Sequence, residues 1–409
     1  MRHPKHHFFA FTPEELKAWC GERGMPAFRA TQLLKWVYER GVTDPAEMTD
    51  LSKRDREAVA AEMTFTSAET VTHKVATDGV QKLLLEWWDG DGPAKPAQAG
   101  PAAGEERDGG MALPVLGAGG GKGGDTTRQT ECVLIPTMTR QTACISSQVG
   151  CPVGCKFCAS GIGGLDANLS AGRIVEQVWR LGKLPGVGRI SNVVFMGMGE
   201  PLSNFEAVTA AIRSMNGLWG LGISARKITI STVGLPKYIK RLRDEFDLPV
   251  TLALSLHAPT DELRRQLIPW AEFTTIAELL DSCQGWFEKS GREITLEYTL
   301  LRDTNDRPEH AQALAGLASS LRANVNLIRY NEVGGVPFNR PRTDDVLNFQ
   351  AILQRRGVNT HIRRSRGRDI AAACGQLRHE NKAKAAGREA APVGGAVGGA
   401  DDAGADLED

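Results

Sequence analysis

The residues best placed to do chemistry are three cysteines at short, fixed spacing. Cys151, Cys155 and Cys158 lie within Gln148-Val-Gly-Cys-Pro-Val-Gly-Cys-Lys-Phe-Cys-Ala-Ser-Gly161. Three thiolates from one loop cannot complete a four-thiolate zinc site. They can hold three corners of a cubane [4Fe-4S] cluster and leave the fourth iron open to a ligand that is not protein. The neighbouring glycines and Pro152 suit an irregular backbone wrapped round a bulky inorganic centre. The competing readings are a structural zinc knuckle and a chance grouping. Of the five other cysteines, Cys144 and Cys374 read on composition alone as inert buried thiols. The eight together form no disulfide framework of a small secreted domain. A thiolate-held cluster needs reduced cysteines, so cytoplasm is the expected compartment.

The elements that must position these residues belong to a chain of 409 residues, long enough for two or three domains and a large core. Met1–His7 is not followed by an apolar stretch, so no signal peptide is expected. No run approaches the ~20 apolar residues of a membrane span. Formal net charge is zero. Segment 89–128 holds six acidic and four basic residues, and 381–409 holds six and three, which leaves a surplus of five positive charges elsewhere.

Thr12-Pro-Glu-Glu15 reads as a helix start with a capping box. A second helix is expected through Ala30–Arg40, ending at Gly41, and a third over Leu51–Ala60. Together they make a helical accessory domain over 1–64, whose Arg29, Lys35, Lys53, Arg54 and Arg56 serve either as backbone contacts to RNA or as solvated faces. Residues 65–130 read as a β extension: a hairpin of Thr70–Val75 and Val80–Trp88 about Asp78-Gly79, with Glu131–Pro136 returning beside it. Its Gly-, Pro- and Ala-rich stretch 90–128 is expected to be a flexible insertion without chemistry. From about 140 the pattern is strand, loop, helix, repeated. Strands are expected at Thr142–Ser147, Asn192–Met196, Lys227–Ser231, Val250–Leu256, Glu293–Tyr298 and Asn324–Tyr330. Helices near 171–182, 203–215, 236–245, 260–267, 274–289 and 307–321 separate them. This predicts an α/β fold, a partial (β/α)6 barrel over 131–380 with its chemistry at the strand C-terminal ends. The tail, 381–409, reads as disordered.

The cysteine run, with Phe157 as its aromatic, resembles the signature of the radical S-adenosylmethionine (SAM) enzymes. Met196-Gly-Met-Gly-Glu-Pro-Leu202 resembles their segment that holds the SAM amino group, which implies backbone contact near Gly199 and an opposite charge from Glu200. The competing reading is a tight turn. Ser231 and Ser255-Leu256-His257 fall at later strand ends and are expected to meet the SAM carboxylate, ribose or adenine; for His257 a packing role competes.

More specifically, the chain resembles the RlmN family of dual-specificity ribosomal and transfer RNA adenine-C2 methyltransferases, related to the Cfr enzymes. The likeness rests on Leu33–Tyr38, Glu47–Ser52, Thr142–Cys151, the cysteine run, Val193–Leu202, Ser255–His257, Val325–Ile328 and Arg366–Leu377. It covers about 12–88 and 131–378. The resemblance implies a [4Fe-4S] cluster on Cys151, Cys155 and Cys158, and two SAM molecules per turnover. Cys374 would become S-methylated, and its methyl carbon would bond to adenine C2. Cys144 would then release the RNA through a transient disulfide. Glu131 matches the family's proton acceptor, with Cys144 as the other base and an exposed strand-edge carboxylate as the plain alternative. Asn331 aligns with a SAM-contacting residue, but Arg329 stands where the family usually carries Pro, and the 90–128 insertion splits the β extension. Arg363, Arg364, Arg366 and Arg368 are expected either at phosphates or paired with acidic neighbours. The implied partners are 23S rRNA, tRNA and a flavodoxin-type electron donor, with no membrane and a monomeric chain. Competing functions are Cfr-like C8 methylation, an iron–sulfur RNA-binding protein without methyl transfer, and an activase for glycyl-radical enzymes.

Overall fold

The chain was analysed as a computed structural model, which describes residues 1–89 and 125–377. The expected insertion lies outside the described residues except for 125–128, and the tail 381–409 lies outside them entirely.

Helix α1 (Pro13–Glu22) begins as its sequence dictates, with Thr12 and Glu15 completing a reciprocal capping box and Pro13 in the first turn. Helix α2 (Phe28–Leu34) widens into a π turn over Lys35–Arg40, which Gly41 ends in the left-handed region. Ser52 caps α3 (Lys53–Glu62). Strands β1 (Ala68–Val75) and β2 (Gln81–Trp87) form the expected hairpin, and β3 (Gln129–Pro136) pairs antiparallel with β2. A single 3-10 turn, Thr126–Arg128, leads into β3, and Arg128 meets Asp89 at 2.8 Å. That ion pair brings the two borders of the undescribed segment together.

Strand β4 (Gln141–Cys144) pairs antiparallel with β3 and ends at Cys144, three residues earlier than expected. A two-stranded ribbon that the glycine-rich sequence conceals, β5 (Gln148–Gly150) with β6 (Leu165–Asn168), brackets the cysteine run. The chain then continues through α4 (Ala171–Gly182), β7 (Asn192–Phe195), α5 (Phe205–Asn216), β8 (Ile228–Thr232), α6 (Pro236–Glu245), β9 (Thr251–Ser255), α7 (Asp261–Leu267), α8 (Ile276–Ser290), β10 (Ile294–Leu300), α9 (Pro308–Ser319), β11 (Ala323–Arg329), α10 (Thr343–Arg355) and β12 (Thr360–Arg363). Among the described residues, ten strands make one sheet in the order β1-β2-β3-β4-β7-β8-β9-β10-β11-β12, parallel from β4 onward and not closed into a ring. The expected partial barrel is therefore present. Helix α10 completes its sixth unit, and β12 adds a strand beyond it.

The helical N-terminal region shares its core with the sheet, since Phe8, Leu33 and Val37 belong to the same buried cluster as Ile174, Val193 and Leu252. One buried polar knot fixes the joint. Glu176 of α4 accepts from the Ser67 N–H at 2.8 Å, the Ser67 hydroxyl at 2.9 Å and Arg180 Nε at 2.8 Å, and lies 3.1 Å from His7 Nε2. Burial opposes ionisation there, yet Arg180, His7 and the Ser67 N–H hold the carboxyl down to about 2. Among the described residues no helix is long and apolar enough to cross a membrane.

Candidate active site

One pocket opens at the C-terminal ends of the parallel strands, and most of the residues singled out from sequence line it. Cys151, Cys155, Cys158, Gly199, Glu200, Ser231, Ser255, His257, Asn331 and Cys374 all reach it. The cysteine loop is held close by glycines. Gly150 has φ +76°, and a Cβ there would stand 2.1 Å from the Gly164 carbonyl oxygen. Gly199 has φ +104°, with Gln148 Cβ 2.6 Å from where its own would be. This lets the end of β7 lie directly on the segment that enters the cysteine loop.

The three thiols suit a thiolate-held cluster. The N–H groups of Val153 and Gly154 favour the Cys151 thiolate, and the N–H and hydroxyl of Ser160 with the N–H of Gly161 favour that of Cys158. Burial pushes all three thiols up, Cys151 to about 12. They would therefore ionise only against a bound cationic centre, with N–H donors already aimed at the charge. Among the described residues no three His, Cys, Asp or Glu side chains form a site for a single metal ion. Three thiols on one pocket wall are the donor set that a polynuclear centre takes.

Glu200 faces the same space. Its carboxyl accepts from the Leu202 N–H at 2.9 Å and the Val233 N–H at 2.8 Å, but burial still raises it to about 7. An ammonium group is the natural partner for such a carboxylate. Across the pocket the Ser231 and Ser255 hydroxyls are 3.2 Å apart. His257 sits at φ +58°, unusual for a residue with a Cβ. Its Nδ1 accepts from the Thr299 N–H at 3.0 Å, which puts the ring proton on Nε2. Burial, with Arg264 nearby, lowers it to about 3, so the ring is neutral. Its edge meets Phe157, ring centroids 5.0 Å apart. Leu256 differs from the others: its side chain is buried in the core and only its backbone is near the site, bonded to the Glu297 carbonyl and to Arg264.

Cys374 reaches the pocket of the three cysteines through a tethered loop. The Ala159 N–H donates to the Gly375 carbonyl at 2.8 Å, Ser160 Oγ to the Leu377 carbonyl at 2.6 Å, and Asn331 Nδ2 to the Cys374 carbonyl at 3.2 Å. Cys144, at the end of β4, is close enough for the two sulfurs to interact, and both thiols are free. Burial pushes both up, Cys144 to about 12, while Arg363 acts in the opposite direction on each.

Glu131 is not the exposed edge carboxylate that its strand suggested. Strand β3 runs between β2 and β4, and Glu131 is buried with its Oε1 2.6 Å from Lys82 Nζ. It lies outside the pocket lining, on the sheet face that also carries Val133 and Cys144. The four arginines divide. Arg363 lines the pocket, Arg366 is bound to Asp78 and the Pro136 carbonyl, and Arg364 and Arg368 are exposed. Two residues escaped the sequence reading. Lys82 is one; Glu297 is the other, a buried carboxyl on the pocket wall, held by Asn326 at 3.1 Å on one oxygen and, among the described residues, without a partner on the second. A lone acidic residue inside the apolar strand Ile294–Leu300 was the available signal for Glu297.

Two family models match the chain: the ribosomal RNA large subunit methyltransferase N-terminal domain over 7–64 and the radical SAM superfamily over 145–315. A probable dual-specificity RNA methyltransferase RlmN of Gloeobacter violaceus is 41% identical over 369 residues, 90% of this chain and 94% of that protein. One of the same description from Symbiobacterium thermophilum is 41% identical over 379 residues, 92% of each. The crystal structure of a radical SAM methyltransferase from Sphaerobacter thermophilus superposes with a TM-score of 0.80 at 36% identity, covering 92% of this chain and all of that one. The chain belongs to the RlmN family of radical SAM RNA methyltransferases. Membership implies SAM and a [4Fe-4S] cluster, and the pocket holds three thiols and a buried carboxyl group.

Proposed function

We propose that the chain methylates carbon 2 of an adenine in 23S rRNA and of an anticodon-loop adenine in tRNA, with Cys374 as methyl carrier and Cys144 as the thiol that releases the product. The observation that carries this reading is the placement of Cys374 in the pocket lined by Cys151, Cys155 and Cys158, with Cys144 within electrostatic reach. A protein that only bound a cluster would have no use for either thiol.

Cys151, Cys155 and Cys158 would hold the cluster, and Glu200, Ser231, Ser255, His257 and Asn331 would orient SAM. When bound, the cluster and two SAM per turnover would supply one methyl group and one hydrogen-abstracting radical, the chemistry that an electron-poor adenine carbon requires. The Cys374 sulfur takes up the methyl group, with the guanidinium of Arg363 favouring its thiolate against burial. Once the S-methyl carbon has lost a hydrogen atom to that radical, bonded to C2, and the adduct has returned one electron, the C2 proton must leave to a base, Glu131 or Cys144. The Cys144 thiolate then attacks the Cys374 sulfur. The S–C bond breaks, its electron pair goes to the C2-bound carbon, which takes up a proton to become a methyl group, and a disulfide is left; exchange with cellular thiols restores both cysteines. The target base must leave its stack to enter so enclosed a site. Cytoplasmic residence, a monomeric chain and a flavodoxin-type donor complete the reading.

Nucleoside mass spectrometry after reaction with reconstituted enzyme is expected to give 2-methyladenosine; 8-methyladenosine would replace this reading with the Cfr-like one. Cys374→Ala is expected to abolish methylation with iron content and SAM binding retained. Cys144→Ala is expected to trap a covalent enzyme–RNA adduct. Normal turnover in the Cys374 variant overturns the mechanism.

A further inference from the structure

The β1–β2 hairpin carries an ammonium that sequence reading passed over. Lys82 and Glu131 are diagonal neighbours across the ladder, because Lys82 is in register with Val133 and Leu84 with Glu131. Both are 3% exposed, and Lys82 Nζ is 2.6 Å from Glu131 Oε1. A second donor on the same ammonium reaches the Ala371 carbonyl at 3.0 Å. Ala371 is three residues before Cys374 and has φ +51°, one of three residues with a side chain in the left-handed region among those described. Such a conformation persists where its surroundings hold it.

Other contacts of this loop run to the same hairpin. Asp369 accepts from the Thr77 N–H at 2.9 Å, and Asp78 accepts from the Gly367 N–H at 3.0 Å and from Arg366. Gly367 has φ +69° and lies so close to Val80 that a Cβ would fall 2.7 Å from it. On its far side the loop is fixed to the cysteine run at Ala159 and Ser160. The loop that presents Cys374 is therefore clasped between hairpin and cluster loop. Within that clasp, Lys82 joins it to a buried carboxylate on the Cys144 face of the sheet.

We infer that Lys82 is a positioning residue: its ammonium holds the Glu131 carboxylate and the strained Ala371 carbonyl together, and so fixes the Cys374 loop relative to Glu131, one of the two bases proposed for the C2 proton. The part concerning Glu131 rests on the proposed function; the part concerning the loop does not. A methionine at 82 keeps the length and volume but removes charge and donors, whereas arginine keeps both in a different shape.

The test uses full-length protein. In Lys82→Met, reconstituted enzyme is expected to keep its iron content and SAM affinity. Its kcat for methyl transfer is expected to fall about a hundredfold, the scale of loss when a reacting group is misplaced by about 1 Å, with KM for RNA little changed. The covalent RNA adduct is expected to accumulate in Lys82→Met and in Glu131→Gln alike, and Lys82→Arg should recover part of the rate. A general loss of structure would lower activity without building up the adduct. Independently of turnover, amide hydrogen exchange over 367–377 is expected to accelerate about tenfold in Lys82→Met while the parallel strands stay protected. If Lys82→Met does not fold, Lys82→Gln is read in the same way. Unchanged exchange in the loop overturns its tethering by Lys82. Unchanged kcat, or a loss of rate without adduct, overturns the link to Glu131. If the wild-type enzyme makes no methylated RNA, the proposed function fails, and the exchange measurement still decides the loop.

Discussion

A carboxyl group with two backbone donors would ordinarily ionise easily, yet burial leaves Glu200 near neutrality at about 7. The site thus holds a carboxyl group that an incoming cation would ionise fully. Glu200→Gln retains the shape and can accept one of the two N–H bonds, but it offers no charge. Hydrogen bonds to a charged group contribute about 1.5–3 kcal/mol, so SAM affinity is expected to fall roughly ten- to a hundredfold. Calorimetric titration of SAM into reconstituted protein would check this, with iron content unchanged as the control. An unaltered Kd would place the SAM amino group elsewhere. At this scale the sequence was informative where chemistry demands several residues at fixed spacing, as in the cysteine run and Met196–Leu202. It was uninformative for Lys82 and Glu297, single charged residues whose meaning comes from partners on neighbouring strands. Glu131 shows the same limit, since only strand order reveals that β3 is interior.

At the scale of elements, caps and apolar periodicity located the first three helices and most of the repeating units, because those signals are local. Thr12 and Glu15 define a start whatever lies elsewhere, and the apolar residues of β7 to β11 stand out against polar loops. Helix α10 and strand β12 were missed. Strand β12 is four residues long and ends in an arginine cluster that drew attention to RNA instead. Also hidden was the joint between the N-terminal helices and α4, since Glu176 is an ordinary helix residue until Ser67 and His7 fold onto it. Its carboxyl has an ordinary value of 4.5 and is held at about 2 in the folded protein. A lowered carboxylate stabilises above the ordinary value, and that contribution fades as pH falls from 4.5 through 2. The difference corresponds to about 3 kcal/mol at neutral pH. Glu176→Gln should therefore lower the urea midpoint at pH 7, and its deficit against wild type should shrink as the solution is acidified toward pH 2. A deficit independent of pH would show that packing, and not charge, fixes the joint.

For the whole molecule, the question is how a chain of zero formal charge attracts a polyanion. The structure answers by dividing the arginines that sequence grouped together. Arg366 is engaged with Asp78 and clasps the Cys374 loop, and Arg363 lies inside the pocket beside both thiols. Arg368 stands exposed at the start of the turn that leads to Cys374, where an incoming phosphate can reach it. Each cation that neutralises a phosphate releases counterions and adds about 0.7–0.9 to the slope of log K against log salt. Arg368→Ala should thus weaken RNA binding at low salt and reduce that slope by about one, with SAM affinity unchanged. Arg366→Ala should instead leave the slope alone and accelerate exchange in the loop, because its charge is already spent within the protein. Were the two variants to exchange these signatures, the Asp78 pair would have to open on RNA binding, and the clasp on Cys374 would be released by the substrate itself.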